Sequence, residues 1–233
     1  MSTVKVTDII RRVEDVLQDT NIRWPRTELQ NWMNESYLAI TLARPDANAK
    51  AGTFTCAVGT RQTLTKTGGG GYPSALRLLD VTRNLASTSG YKVIRLVARS
   101  VLDDQRPAWH AETGTTAIQH FTFDPRQPKE FFVYPPATAA AEIEVVYTDS
   151  PGATALTESQ LDPAGSDTTV ILLDDIYMSP MIDWILYRAY SKDAEYGANE
   201  QRAQAAYGAF NAALTTKNQV DSAVSPANMS SVT

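Results

Sequence analysis

The chain has 233 residues, 43% hydrophobic and 20% charged, a composition that builds a substantial core and excludes a disordered polymer. Its single cysteine, Cys56, excludes an internal disulfide framework, and no apolar run approaches the ~20 residues of a bilayer span. The formal net charge is −5, and residues 151 to 233 hold four Lys and Arg against ten Asp and Glu, which argues against a phosphate-gripping groove in that third.

The opening MSTVKVTDIIRR has neither the apolar centre nor the small-residue cleavage site of a secretory signal, so synthesis in a reducing cytoplasm is expected. From Thr7, a predicted N-cap, to Gln18, Ile9, Ile10, Val13, Val16 and Leu17 form an apolar stripe opposite Arg11, Arg12, Glu14 and Asp15. A second helix is predicted from a Thr27 cap, with Leu29, Trp32, Met33, Ser36, Tyr37 and Ile40 at helical spacing until Arg44-Pro45 stops it.

The period then changes from 3.6 to 2. Seven strands are predicted, at residues 53–58, 62–65, 75–81, 92–97, 118–123, 130–134 and 142–147. No helical crossover is evident between them, so antiparallel pairing in a sandwich or small barrel is expected. The glycines from Gly68 to Gly71 lack the Lys-Ser/Thr and the following helix of a phosphate-binding loop, and read as a mobile hairpin tip.

A loop over residues 151–170 leads to a helical hairpin over 171–217. In its first helix Met181, Trp184, Ile185 and Arg188 recur at i, i+3, i+4 and i+7, with Ser179 as N-cap and Pro180 in the first turn. Gly197 is expected to end this helix, and Asn199 to open the next, whose Ala203, Ala206, Tyr207, Phe210, Ala213 and Leu214 share a side. Arg188 interrupts the apolar stripe. It reads either as a snorkelling side chain paired with Asp183 or another nearby acid, or as an anchor between helices or subunits. Residues 218–233 are too polar to form a core and read as a tail ordered by a neighbour, with Val220, Val224, Pro226, Met229 and Val232 as its apolar contacts. The expected division is 1–50, N-terminal helices; 51–150, an inserted β-domain; 151–170, a loop; 171–217, the hairpin that completes the bundle; and 218–233, the docking tail.

Enzyme chemistry finds little support. His110 and His120 lack companion ligands at metal-site spacing; Asp103, Asp104, Glu112 and Asp124 would act as an acid pair only if the fold joined them; and no GxSxG, CxxC or GxGxxG is present. No catalytic residue, cofactor or metal is assigned.

Several stretches in one order carry a family likeness. They are Ile22-Arg23-Trp24 after Asp19; Trp32-Met33-Asn34-Glu35; Gly59-Thr60-Arg61-Gln62; Ala75 to Asn84; Pro107-Ala108-Trp109-His110; Phe123-Asp124-Pro125-Arg126 with Phe132 to Pro136; and Leu186 to Tyr196. Over residues 5 to 216 the chain resembles the head-to-tail adaptor, or connector, proteins of tailed bacteriophages, of the tail tubular protein A kind. The resemblance implies an α+β fold, a helical bundle formed by the N- and C-terminal helices with an inserted antiparallel β-sandwich or barrel. It implies a non-enzymatic virion protein of the phage neck, a ring of about twelve copies of itself that docks on the portal protein and receives the tail nozzle, tube or next neck protein. DNA would pass through the lumen without specific binding, and no membrane is involved. Arg188, Trp184, Tyr207 and Phe210 of the hairpin are the expected subunit contacts, and the C-terminal tail the expected portal anchor. A second reading is a β-sandwich that binds carbohydrate through Trp109, Tyr72 and Tyr134.

Overall fold

The computed structural model describes residues 2–68, 70–85, 90–193 and 197–224, the side chains of 218–224 excepted. The described residues form a mixed α+β structure of five α-helices and two β-sheets. Its contacts divide the chain into two compact units, residues 1–47 with 151–233, and residues 48–150.

In the first unit, α1 (Val6–Leu17) buries Val6, Ile9, Ile10 and Val13, the stripe its period predicts. Lys5, not Thr7, precedes its first turn, and Gln18 ends it in the left-handed conformation with φ 51°. The following turn is built by side chains. The Asp19 carboxylate accepts from the backbone N–H groups of Ile22, Arg23 and Trp24, and Asn21 Oδ1 accepts from Arg26 N at 2.9 Å. That last bond serves one of the free N–H groups that open α2 (Arg26–Ala43), so the cap comes from outside the helix and not from Thr27. Pro45 stops α2, because the residue before a proline avoids helical backbone, and Arg44 is extended at φ −135°.

The second unit contains all seven expected strands: β1 (Ala49–Thr55), β2 (Gly59–Thr63), β3 (Ala75–Asn84), β4 (Arg95–Leu96), β5 (His120–Phe123), β6 (Glu130–Ala137) and β7 (Glu142–Asp149). They form two open sheets, ordered β1-β7-β3 and β2-β6-β5-β4, and not a closed barrel. One apolar cluster draws on both, with Phe54, Val81, Ile143 and Val145 from the first and Phe121, Phe131 and Val133 from the second. Cys56 lies in this cluster, and burial pushes its thiol pKa up to about 12. The expectation of purely antiparallel pairing fails at one place. β4 pairs with β5 in parallel, and residues 97 to 119 supply the crossover, including a short helix α3 (Arg99–Gln105) too brief to show a helical period. The glycine-rich stretch also differs from a free tip: Lys66 Nζ donates to Thr55 O, Tyr72 OH donates to Thr53 O at 2.7 Å, and Gly70, φ +74°, leaves only 3.0 Å between a would-be Cβ and Thr55 N.

Back in the first unit, α4 (Met178–Lys192) follows a 3₁₀ turn at Asp175–Tyr177 that Asp174 caps by accepting from Ile176 N. Ser179 is therefore inside the helix, while Pro180 does occupy its first turn, where its missing N–H has no intrahelical partner to lose. Gly197 begins α5 (Gly197–Val224) and does not end α4. Asn199 bonds backwards, its Nδ2 donating to Asp193 Oδ2 at 2.8 Å and Asp193 O at 3.2 Å. The helix continues beyond Lys217, since nothing in the sequence NQVDSAV breaks it, so an extended tail does not begin at residue 218.

Candidate functional site

The hairpin of α4 and α5 brings together the residues expected at the subunit contact. Trp184 and Phe210 lie 5.0 Å apart between ring centroids, Tyr187 and Tyr207 5.0 Å, and Trp184 and Tyr207 6.5 Å. Phe210 is core, whereas Tyr207 is 44% exposed and Trp184 and Tyr187 are half-buried. The indole Nε1 of Trp184 is buried without a hydrogen-bond partner among the described residues. Arg188 does not pair with Asp183. Its Nε reaches Glu35 Oε2 on α2 at 3.0 Å, an ion pair between helices, and Lys192 repeats the pattern with Glu28 at 2.5 Å. Burial alone raises the Asp183 pKa.

On α2, Leu38 and Leu42 stand one turn apart and are 52% and 86% exposed. Leu42 lies seven residues from Glu35, on the stripe that borders α4. These exposed leucines went unnoticed in the sequence because helical spacing alone does not tell which apolar residues a neighbour covers.

The tail residues expected to meet a portal are separated by the structure. Val220 and Val224 lie within the backbone of α5, while Pro226, Met229 and Val232 lie outside the described residues.

The carbohydrate reading loses its platform. Trp109 is fully buried, stacked on His110 and edge-on to Phe132 and Tyr134, with its Nε1 donating to Asp103 Oδ1 at 2.9 Å. Tyr134 is buried and donates to Glu112 Oε2 at 3.1 Å, and Tyr72 stacks on Tyr147 at 4.2 Å. Three of the four carboxylates considered for acid chemistry have structural partners. Asp124 pairs with Arg126, Asp103 with Arg99 and Glu112 with Arg106. His110 Nδ1 hydrogen-bonds Thr60 Oγ1 at 2.7 Å, and His120 stacks parallel to Tyr134. Among the described residues no group of His, Cys, Asp and Glu is arranged to hold a metal ion, and no helix is long and apolar enough to cross a membrane.

Fold and surface together describe a protein whose polar side chains tie its own elements together and which leaves Leu38, Leu42 and Tyr207 exposed. The chain belongs to the SU10 adaptor protein family, whose model matches residues 4–230, and it is a structural head–tail adaptor of a bacteriophage and a component of the virion. As an adaptor it interacts with other head or tail proteins of the phage. No curated protein matches it.

Proposed function

We propose that this adaptor is a non-enzymatic ring subunit of the tail tubular protein A kind, docking beneath the portal, receiving the tail and contributing to the channel through which DNA leaves. In this reading the first unit is a helical bundle that forms the ring wall, and the second an inserted sandwich. The observation that carries it is the exposed apolar pair of Leu38 and Leu42 on α2, together with the exposed Tyr207 on α5, which a lateral neighbour would cover. Family membership supports it independently. Cryo-electron microscopy of assembled particles would find the chain as a closed ring at the neck; finding it elsewhere, or as isolated single copies, rejects the proposal.

The portal anchor is proposed to be the segment after Val224, beginning later than the sequence suggests because α5 continues to that point. Deleting residues 225 to 233 should leave the thermal melt unchanged and weaken attachment to portal-containing heads. Equal attachment by the truncated chain would remove the tail from the mechanism. The acidic C-terminal third would repel phosphates, which suits a conduit that lets DNA slide. A gel-shift titration at low salt should show no submicromolar DNA complex, and a tight complex that weakens steeply with salt would contradict the conduit reading.

A further inference from the structure

We propose that the outer edge of β1 in the second unit, from Ala49 to Thr53, receives an extended, uncharged segment of another head or tail protein, added as a further strand to the β1-β7-β3 sheet. The proposal rests on the chain being an adaptor, and not on the ring or the tail anchor. β1 is an end strand of its sheet. Cys56 N donates to Ala141 O, which fixes the parity of the antiparallel pairing: Lys50, Gly52 and Phe54 turn their N–H and C=O groups toward β7, and Ala49, Ala51, Thr53 and Thr55 turn theirs outward. At one end these outward groups are met within the chain. Tyr72 OH donates to Thr53 O at 2.7 Å, Lys66 Nζ donates to Thr55 O, and Gly70 packs against Thr55 N. The N–H and C=O of Ala51, the C=O of Ala49 and the N–H of Thr53 have no partner among the described residues, and Ala49, Lys50, Ala51 and Thr53 are exposed.

The other sheet edges are blunted. β3 is held on its outer side by Ile94 N donating to Thr82 O and Asn84 N donating to Lys92 O; β2 has a register shift between Gly59 and Arg61; and β4 has two residues. β1, in contrast, pairs with β7 without a register shift from Ala49 to Thr55. Its one charged side chain is engaged internally, Lys50 Nζ donating to Asp149 Oδ2 at 2.6 Å. A regular edge with no free guarding charge is open to strand addition.

The residues along this edge select the occupant. The outward backbone groups call for an extended chain, and with Lys50 already paired no charge calls for an acid or a phosphate. Ala51 presents only a methyl group and lies across from half-buried Val146, so a Val, Ile or Thr opposite Ala51 would find an apolar surface with room for it. The β1 strand of a second copy fits less well. Antiparallel pairing about Ala51 would set its Ala49 opposite Thr53, where Tyr72 already occupies the edge.

Cryo-electron microscopy of complete particles tests the edge in the unmodified protein. Density is expected for a strand of another head or tail protein, hydrogen-bonded along Ala49 to Thr53 with an uncharged side chain opposite Ala51. A bare edge overturns the proposal, even where the chain forms the ring, and so does an edge covered by a helix, by nucleic acid or by a second copy. Proline then separates the two sides of β1, because it removes one N–H and is tolerated only where that group is unpaired. Ala51→Pro removes an outward N–H, so the free protein should melt within a few degrees of the parent while particles built with it lose the added strand. Lys50→Pro removes an N–H that faces β7 and should melt much lower. A melt for Ala51→Pro as low as that for Lys50→Pro overturns the free edge, and an added strand that persists in Ala51→Pro particles overturns the edge's part in docking.

Discussion

Asp175 binds the N-terminal segment to the start of α4. Its carboxylate accepts from Ser2 Oγ at 2.5 Å, Thr3 Oγ1 at 2.6 Å, Thr3 N at 2.8 Å and Val4 N at 3.1 Å. The Ser2 and Thr3 hydroxyls, then the backbone N–H groups, hold its pKa well below the usual carboxylate range, because every one of these bonds favours the charged form. A depressed pKa contributes stability that is present above the unfolded value, about 3.9, and is lost as pH falls toward the folded value. Asp175→Asn should therefore melt lower than the parent at neutral pH, with the gap narrowing below about pH 4. A gap unchanged between neutral and strongly acidic pH in thermal melts would show that the charge is not the cause.

Among the elements, α2 has a second task beyond its apolar face. Gln30 and Asn34, one turn apart, each bind a backbone residue of the 151–170 segment with both amide groups. Asn34 Nδ2 donates to Thr154 O and Thr154 N to Asn34 Oδ1, both at 2.9 Å, and Gln30 pairs likewise with Leu156 at 3.3 and 2.8 Å. One turn before Gln30, Arg26 Nε donates to Glu14 Oε1 of α1 at 2.6 Å and Arg26 Nη1 meets Asp162 at 3.3 Å. The helix thus supplies the hydrogen bonds that a neighbouring strand would have supplied. Replacing Asn34 by Ala leaves Thr154 N–H and C=O unserved, at a cost of about 1–3 kcal/mol. Amide hydrogen exchange should speed up between residues 151 and 161, while strands of the second unit keep the parent rates; unchanged exchange at Thr154 would refute the ladder's role.

At the scale of the assembly, a side chain that the single chain leaves in water separates folding from association. Leu42 is 86% exposed, so Leu42→Glu removes almost no buried area from the monomer and should shift its stability by no more than about 0.5 kcal/mol. Within the proposed ring the same substitution would bury an unpaired charge against a neighbour. Parent-like melts with loss of the ring in cryo-electron micrographs are expected. Normal ring assembly by the variant would move the lateral contact away from α2.

Much of the architecture is legible in the residue order. Period 3.6 marked α1, α2, α4 and the hairpin partner α5; period 2 marked all seven strands; and the ordered motifs from Ile22 to Tyr196 pointed to a phage adaptor. These are local signals, set by the side-chain period of a helix or strand and by the turn residues between them. Tertiary structure alone chose the partners. Arg188 met Glu35 across 153 positions, Trp109 turned inward onto Asp103, and buried Asn84 tied β3 to Lys92 and Ile118 through its side-chain amide. The parallel join of β4 to β5 and the exposure of Leu42 belong with them. Periodicity says that a face is apolar, but which face is covered, and which carboxylate lies beside a cation, depend on packing between residues far apart in the chain.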